Sequence, residues 1–366
     1  MHTEKIAVLL CDDSALIRVT LKRIIEKDPQ VYVAGVARNG EEAVAAARRL
    51  KPGVILLDVE MPRMDGLSAL KIINAEDLAP VIMFSTLTVK GAHTTLEALE
   101  NGAFDFISKP EGTENIARLA EEILQKIKSA AQSRPQKKEP ARTLSAAKTV
   151  PMSEITPYRT VTRPAAVPSG LPFKAVVIGI STGGPRTIFD VLPLLPAELP
   201  AAIILVQHMP PTFTSAFAQR INNRTKMPCL EADAGMPLEK GKIYVARGGF
   251  HCKLLRKSNQ EILLRLATEP RHMFMPSVDV TMESVVEQFK GDTVGVLMTG
   301  MGWDGAASMV RINEQGGVTI AESRESAVVF GMPQEAMKRS CVQVVAPSTG
   351  IAAEIIRAVN GKGNAR

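Results

Sequence analysis

The run VVIGISTGGP, Val176–Pro185, sets Ser181 between glycines directly after β-branched apolar residues. Three roles suit a serine there: nucleophile on a sharp turn, part of a phosphate cradle, or helix N-cap. Two further residues narrow the choice. Ser181 follows the strand-like KAVVIGI, His208 closes AAIILVQ, and Asp304 lies in TGMGWDGA just past DTVGVLM. Strand ends of a parallel sheet share one rim, so the three side chains are expected to converge. A free hydroxyl is a poor nucleophile until a base takes its proton. Imidazole does this near neutral pH, and a carboxylate fixes its tautomer and steadies the imidazolium. Glycines beside the serine admit a substrate carbonyl. N–H groups at the start of a following helix, read over PRTIFDVLPLLP, would help to hold an oxyanion.

Gly179, Ser181 and Gly183 fit the G-x-S-x-G elbow, but the order Ser, His, Asp differs from the Ser, acid, His of α/β hydrolases. The glycines do not form the G-x-G-x-x-G of a dinucleotide site, and no P-loop lysine follows. His251 in GGFHC and His272 are rival bases, Asp304 has the alternative reading of a turn residue, and Trp303 is expected to pack.

A second set of reactive residues lies near the N-terminus. KIAVLLC, VYVAGVA, GVILLD, PVIMFS and FDFIS read as strands that alternate with helical patterns, from SALIRVTLKRIIEKD to TENIARLAEEILQKIKSA. Such alternation implies a parallel sheet with helices on both faces and ligands at the carboxyl ends of the strands. Those ends carry Asp12 and Asp13, Asp58, Ser85 and Lys109. Three converging carboxylates repel unless a cation sits among them, and oxygen ligands with open water positions suit Mg²⁺. One carboxylate then serves as a phosphoryl acceptor, with a lysine and a hydroxyl to pair the phosphoryl oxygens. The competing reading makes Asp12 and Asp13 a helix-cap pair and leaves Lys109 in solvent.

Composition bounds what the two sets can belong to. The chain has 366 residues, 45% hydrophobic and 22% charged, the balance of a soluble globular protein of two or three domains. It has no membrane-length apolar run and no signal-peptide pattern, and its four cysteines are scattered without a CxxC pair; these features fit a reducing cytoplasm. The net charge of +6 suggests nucleic acid until it is located. Residues 129–170 hold seven Lys and Arg against two Glu, with six prolines, the composition of a flexible linker spanning ~35 Å r.m.s.. Most of the excess charge thus sits in the linker, and no helix-turn-helix with a basic recognition helix stands out, so no nucleic-acid partner is expected.

CDDS, LLDVEMPRMDGL, FST and ISKP resemble the signature of response-regulator receiver domains, across residues 1–128. By that resemblance Asp58 is the phosphorylated aspartate, Asp12 and Asp13 help it to bind Mg²⁺, Ser85 is the switch hydroxyl, Phe106 the switch aromatic and Lys109 the phosphate-sensing lysine. Thr86 is a rival to Ser85. GISTGGP, VQHMPPTFTSAFAQRIN, GKIYVARGGFH, MPSVDV, MTGMGWDGA and VVFGMP together resemble the catalytic domain of the chemotaxis protein-glutamate methylesterases, the CheB family, over roughly residues 171–358. The resemblance implies hydrolysis of glutamate γ-methyl esters on chemoreceptor helices, deamidation of receptor glutamines in many members, and no cofactor for the esterase step. Ser181 would attack the carbonyl, His208 shuttle the proton and Asp304 orient His208. The Met301 backbone N–H would bind the oxyanion, with Thr182 in support. Arg247 stands where proline is usual and Met275 where arginine is common, and AESRES replaces the more typical AQDEAT; none falls on the triad.

The expected architecture is therefore α/β throughout: a five-stranded parallel, flavodoxin-like receiver at 1–128, a basic proline-rich linker at 129–170, and a doubly wound, mostly parallel catalytic domain at 171–366. The expected activity is a phosphorylation-activated esterase whose receiver covers the serine rim until Asp58 is phosphorylated. Its expected partners are chemoreceptors as substrate and a histidine kinase as phosphodonor, without membrane insertion. A response regulator with a binding-only output and a hydrolase of small esters are the rival readings.

Overall fold

The structure is a computed structural model and describes residues 5–109, 116–133, 161 and 164–361. The chain divides into two compact units, Met1–Met152 and Ser153–Arg366. The five strands of the first unit are β1 (Ile6–Cys11), β2 (Val31–Ala37), β3 (Val54–Asp58), β4 (Val81–Ser85) and β5 (Asp105–Ser108). Between and after them run α1 (Ala15–Ile25), α2 (Gly40–Leu50), α3 (Gly66–Ala75), α4 (Val89–Glu100) and α5 (Ile116–Gln132). All pairings are parallel, in the order β2-β1-β3-β4-β5. Both β3 and β4 are buried along their whole length, as a sheet covered on both faces requires.

Local chemistry sets the helix starts. Ser14, not the aspartate pair, caps α1, its hydroxyl accepting from the Ile17 amide. Asp65 caps α3 through the Ser68 amide, 2.7 Å away. Gly66 must be glycine because a Cβ there would lie 1.9 Å from the Asp58 carbonyl oxygen. The DG pair thus folds α3 tightly beneath β3. α5 ends at Gln132, two residues past the expected helical pattern and four past the expected receiver boundary at 128, and Ile123, Ile127 and Ala130 lie on its buried face.

The second unit opens with β6 (Lys174–Ile180), α6 (Gly184–Thr187), β7 (Ala201–Gln207) and α7 (Pro211–Asn222). Then come β8 (Cys229–Glu231), β9 (Ile243–Val245), β10 (His251–Arg256), β11 (Ile262–Ala267), α8 (Val278–Phe289) and β12 (Thr293–Leu297). The remainder is α9 (Ala306–Glu314), β13 (Val318–Glu322), α10 (Met332–Lys338), β14 (Val344–Ala346) and α11 (Ser348–Val359). Seven strands form one parallel sheet ordered β14-β13-β12-β6-β7-β9-β8, while β10 and β11 pair separately as an antiparallel ribbon. The winding reverses at β6, with β7 on one side and β12 on the other, which opens a crevice at their carboxyl ends. The expected long helix over PRTIFDVLPLLP is instead the single turn α6 followed by 3₁₀ turns at Ile188–Asp190 and Leu192–Leu194. Pro193 and Pro196 remove the amides that a longer α-helix would need.

The end of the linker also differs from expectation. Residues 164–170 lie against the second unit: the Val167 amide donates to Gln315 O, Val167 O accepts from Gly291 N, and the Ser169 amide and hydroxyl both donate to Asp292 Oδ2. An extended segment buries its backbone only where such partners exist, and here they do. Residues 134–160, the centre of the expected linker, lie outside the described residues. No described helix is long and apolar enough to cross a membrane.

Candidate active site

The turn after β6 points the Ser181 hydroxyl at His208, with Oγ 3.2 Å from Nδ1. His208 Nε2 lies 2.7 Å from Asp304 Oδ2. Asp304 is carried on the loop after β12, so three strand ends that flank the crevice supply one hydrogen-bonded line. The imidazole presents Nδ1 to the serine and Nε2 to the acid. Ser181 is not a helix cap: α6 is flanked by Gly183 at φ +80°, without a side-chain cap.

His208 is held flat by Phe274, stacked with ring centroids 4.0 Å apart and planes 8° from parallel. Below it, Gln207 Nε2 donates to the carbonyls of Ser181 and His208, tying the two strand ends together. Asp304 is 1% exposed and sits at the N-terminus of α8. Its Oδ2 accepts from the Val278 amide at 2.7 Å, and its Oδ1 accepts from the Asp279 amide at 3.0 Å and from the Ser277 hydroxyl at 2.8 Å. Burial works to raise its pKa, but the hydrogen bond and charge of His208 and the Asp279 and Val278 amides outweigh it and bring the carboxyl down to about 2. An acid so held stays ionised throughout the working pH range.

The serine turn is clamped from the β12 side. The Ser181 amide donates to Thr299 O, and the Thr299 hydroxyl donates to Thr182 O while accepting from the Val329 amide. Gly300 follows, where a Cβ would lie 2.2 Å from Met332 Sδ and 2.9 Å from Ser181 Cβ, so only glycine lets the two loops meet. Met301 comes next on this loop.

The rival bases lie elsewhere. His251 is buried on β10, its Nε2 at 3.0 Å from Pro270 O and its Nδ1 accepting from the Ser277 amide. Burial holds its pKa below the ordinary value despite the Pro270 carbonyl, so both ring nitrogens serve structure as a neutral imidazole. His272 Nδ1 accepts from the Phe274 amide and its Nε2 stands 4.0 Å from Asp304 Oδ1, beside the acid. Trp303, expected to pack, is 60% exposed. Sequence reasoning missed Ser277, whose amide-rich surroundings were readable only as a helix start, and Phe274, whose ring contact depends wholly on the fold.

In the first unit, Asp12, Asp13 and Asp58 each offer an oxygen within 4.8 Å of the others. Lys109 Nζ bridges two of them, 2.9 Å from Asp12 Oδ2 and 2.7 Å from Asp58 Oδ2. Asp12 Oδ2, although near this ammonium, accepts no well-directed hydrogen bond among the described residues. Burial, with Asp12 adding, lifts Asp58 above the usual carboxylate range in spite of Lys109. Two buried carboxylates, Asp12 with a spare oxygen and Asp58, beside the exposed Asp13 fit a hard divalent cation such as Mg²⁺. Ser85 is fully buried at the end of β4, where its carbonyl accepts from the Lys109 amide at 2.7 Å, whereas the Thr86 hydroxyl lies 3.4 Å from that of Thr88. Phe106 is buried on β5, and Lys126 Nζ hydrogen-bonds its carbonyl and lies 5.4 Å over its ring.

A serine, a base and an acid in line suit acyl transfer through a covalent intermediate, and an acidic receiver pit earlier in the chain puts the protein in the class of response regulators with a hydrolase output. Residues 8–121 match the response regulator receiver domain model and residues 176–355 the CheB methylesterase model. The protein-glutamate methylesterase/protein-glutamine glutaminase 3 of Syntrophomonas wolfei is 48% identical over 97% of this chain and 99% of its own length. A relative of the same description from Carboxydothermus hydrogenoformans is 45% identical over 97% and 99%. The crystal structure of the Thermotoga maritima CheB methylesterase catalytic domain superposes with a TM-score of 0.50 at 37% identity, covering 51% of this chain and 99% of that one. The chain belongs to the CheB methylesterase family, with its receiver and catalytic domains in one polypeptide.

Proposed function

We propose that the protein hydrolyses γ-methyl esters of glutamate on chemoreceptor helices, releasing methanol, deamidates receptor glutamines at the same site, and is activated by phosphorylation of Asp58. The observation that carries the reading is the line from Ser181 through His208 to Asp304, at 3.2 and 2.7 Å. Ser181 Oγ attacks the γ-carbonyl carbon as His208 Nδ1 takes its proton. The developing oxyanion is held by the Met301 amide, with Thr182 in support, and Asp304 steadies the imidazolium. The tetrahedral intermediate expels methoxide, which leaves as methanol with the proton from His208. Water, deprotonated by the same nitrogen, then cleaves the acyl-enzyme to glutamate and free Ser181. A glutamine substrate follows the same path and releases ammonia.

Control rests on the first unit. Asp58 accepts the phosphoryl group from a histidine kinase, while Ser85 and Lys109 pair with the phosphoryl oxygens. Asp12, Asp13 and Asp58 would hold Mg²⁺, which when bound neutralises charge on the transferring phosphoryl. Phe106 follows Ser85 as the aromatic of the switch. The protein acts in the cytoplasm, on receptors rather than on nucleic acid, and without entering the membrane.

The test is methanol release from methylated receptor membranes by wild type and Ser181→Ala, each with and without a small phosphodonor and Mg²⁺. Release that needs Ser181 and rises with phosphodonor is expected. No release by well-folded wild type on cognate receptors overturns the reading.

A further inference from the structure

Glu322, the last residue of β13, is 0% exposed, and among the described residues no lysine, arginine or histidine pairs with it. An acid in that position is costly unless its oxygens find donors, and both do. Oε2 accepts from the Thr299 amide at 2.7 Å and Oε1 from the Ser326 hydroxyl at 2.8 Å. Thr299 is the residue through which the hydrolase loops are joined. Its carbonyl accepts the Ser181 amide, its hydroxyl bridges Thr182 O and the Val329 amide, and the next residue along is Gly300. Gly300 in turn is held on both sides, its amide donating to Val329 O and its carbonyl accepting from Gly331 and Met332. One carboxyl group therefore holds the N–H of the residue that sets the serine turn against the loop carrying Met301. Displacing a reacting group by about 1 Å can cost ~10²-fold in rate, so the hold has catalytic weight.

We propose that Glu322 is a positioning residue of the hydrolase: its carboxyl group fixes the Thr299 amide, and through it the placement of Ser181 and of the Gly300–Met301 loop. The inference rests on the esterase reading of Ser181.

The groups that face the carboxyl are few. From the loop after β12 comes the Thr299 amide, and from the loop after β13 the Ser326 hydroxyl. From α11, Ser348 donates its amide to Ser326 and its hydroxyl to Asp190. Asp190, on the 3₁₀ turn after α6, is, among the described residues, the one charged group acting on Glu322, and it disfavours ionisation. Burial, with Asp190 adding and the Thr299 and Ser326 hydrogen bonds opposing, lifts the carboxyl to about 7. An ionised carboxylate is the stronger acceptor for the Thr299 amide, so the hold tightens as pH rises through that value.

The experiment compares full-length wild type, Glu322→Gln and Glu322→Ala, with phosphodonor and Mg²⁺ present. It follows methanol release from receptor membranes and, independently of receptor, the rate at which a fluorophosphonate labels Ser181. Alanine is expected to lower kcat and the labelling rate tenfold or more with KM within twofold. Glutamine, which keeps an acceptor oxygen for Thr299, is expected to restore kcat to within threefold of wild type. The wild-type to glutamine kcat ratio should rise between pH 5.5 and 8.5. A folded alanine variant with kcat within twofold of wild type, a change confined to KM, or a glutamine variant as poor as alanine overturns the proposal. If the alanine variant does not fold, the glutamine variant decides, and a pH-independent ratio overturns the proposal. Wild type that labels with fluorophosphonate but releases no methanol overturns the esterase reading instead.

Discussion

The two units put chemistry in the same place, at the carboxyl ends of a parallel sheet, and prepare it in opposite ways. In the receiver pit like charges are crowded together, one lysine spans two of them, and burial drives the Asp58 pKa up. In the hydrolase crevice the single acid has donors on both oxygens, and its pKa is driven down to about 2. In the proposed reading a cation and a phosphoryl group complete the pit, which is what a switch requires. The crevice is satisfied before substrate arrives, which is what a catalyst requires. One topology serves both because strand ends merely gather side chains; the surrounding donors decide whether the assembly is poised or complete.

The sharpest way to break this contrast is to remove the nucleophile. Ser181→Ala should lower methanol release by at least ~10⁴-fold while leaving phosphoryl uptake at Asp58 unchanged, as read by release assay and by phosphoprotein gel. Asp304→Asn should lower kcat by about 10³–10⁴-fold, because the wrong tautomer of His208 then faces Ser181; a pH–rate profile and single-turnover kinetics would check it. On the other side, Asp58→Ala, or chelation of Mg²⁺, should abolish stimulation by phosphodonor, a loss of about 5–150-fold, yet leave the basal rate intact. A basal rate that falls with chelation would break the separation of the two sites.

Two smaller effects sharpen the comparison. Phe274→Ala should reduce kcat about fivefold, the worth of one aromatic stack holding His208 in plane, with little change in thermal stability. Glu322 gives a stability signature of opposite sign to Asp304. Its folded pKa of about 7 exceeds the ordinary 4.5, so the stability it contributes is present below 4.5 and lost as pH rises through 7. Glu322→Gln should therefore gain on wild type by up to about 3 kcal/mol between pH 5 and 8 in denaturant titrations. For Asp304, depressed from 3.8 to about 2, stability is present above 3.8 and lost only as pH falls through 2.

Most of what the sequence disclosed lies at strand ends. The alternation of β-branched runs with helical patterns placed all five receiver strands, and placed Ser181, His208 and Asp304 on one rim, because a strand and the residue that follows it are adjacent in the chain. The inner strand β13 and the edge strand β14 escaped notice, so Glu322 read as part of an unusual AESRES segment and not as a buried acid. The break after α6 came from prolines inside a run that otherwise has helical spacing. Ser277 and Phe274 escaped for another reason: their roles are contacts between distant segments, and no local pattern encodes where α8 will present its first amides. Trp303 went the other way, a large apolar side chain left in solvent beside the acid.

The anchoring of Asp304 on α8 has an evolutionary corollary. The carboxylate that orients the base also closes the first turn of a twelve-residue helix through Ser277, Val278 and Asp279, and Asp279 in turn caps α9 through Ser308. A lineage that discarded the chemistry while keeping the domain as a folded adaptor would lose little architecture by changing Ser181, but would loosen two helices by changing Asp304. Descendants without enzymatic activity should therefore be found with the serine replaced and the aspartate retained.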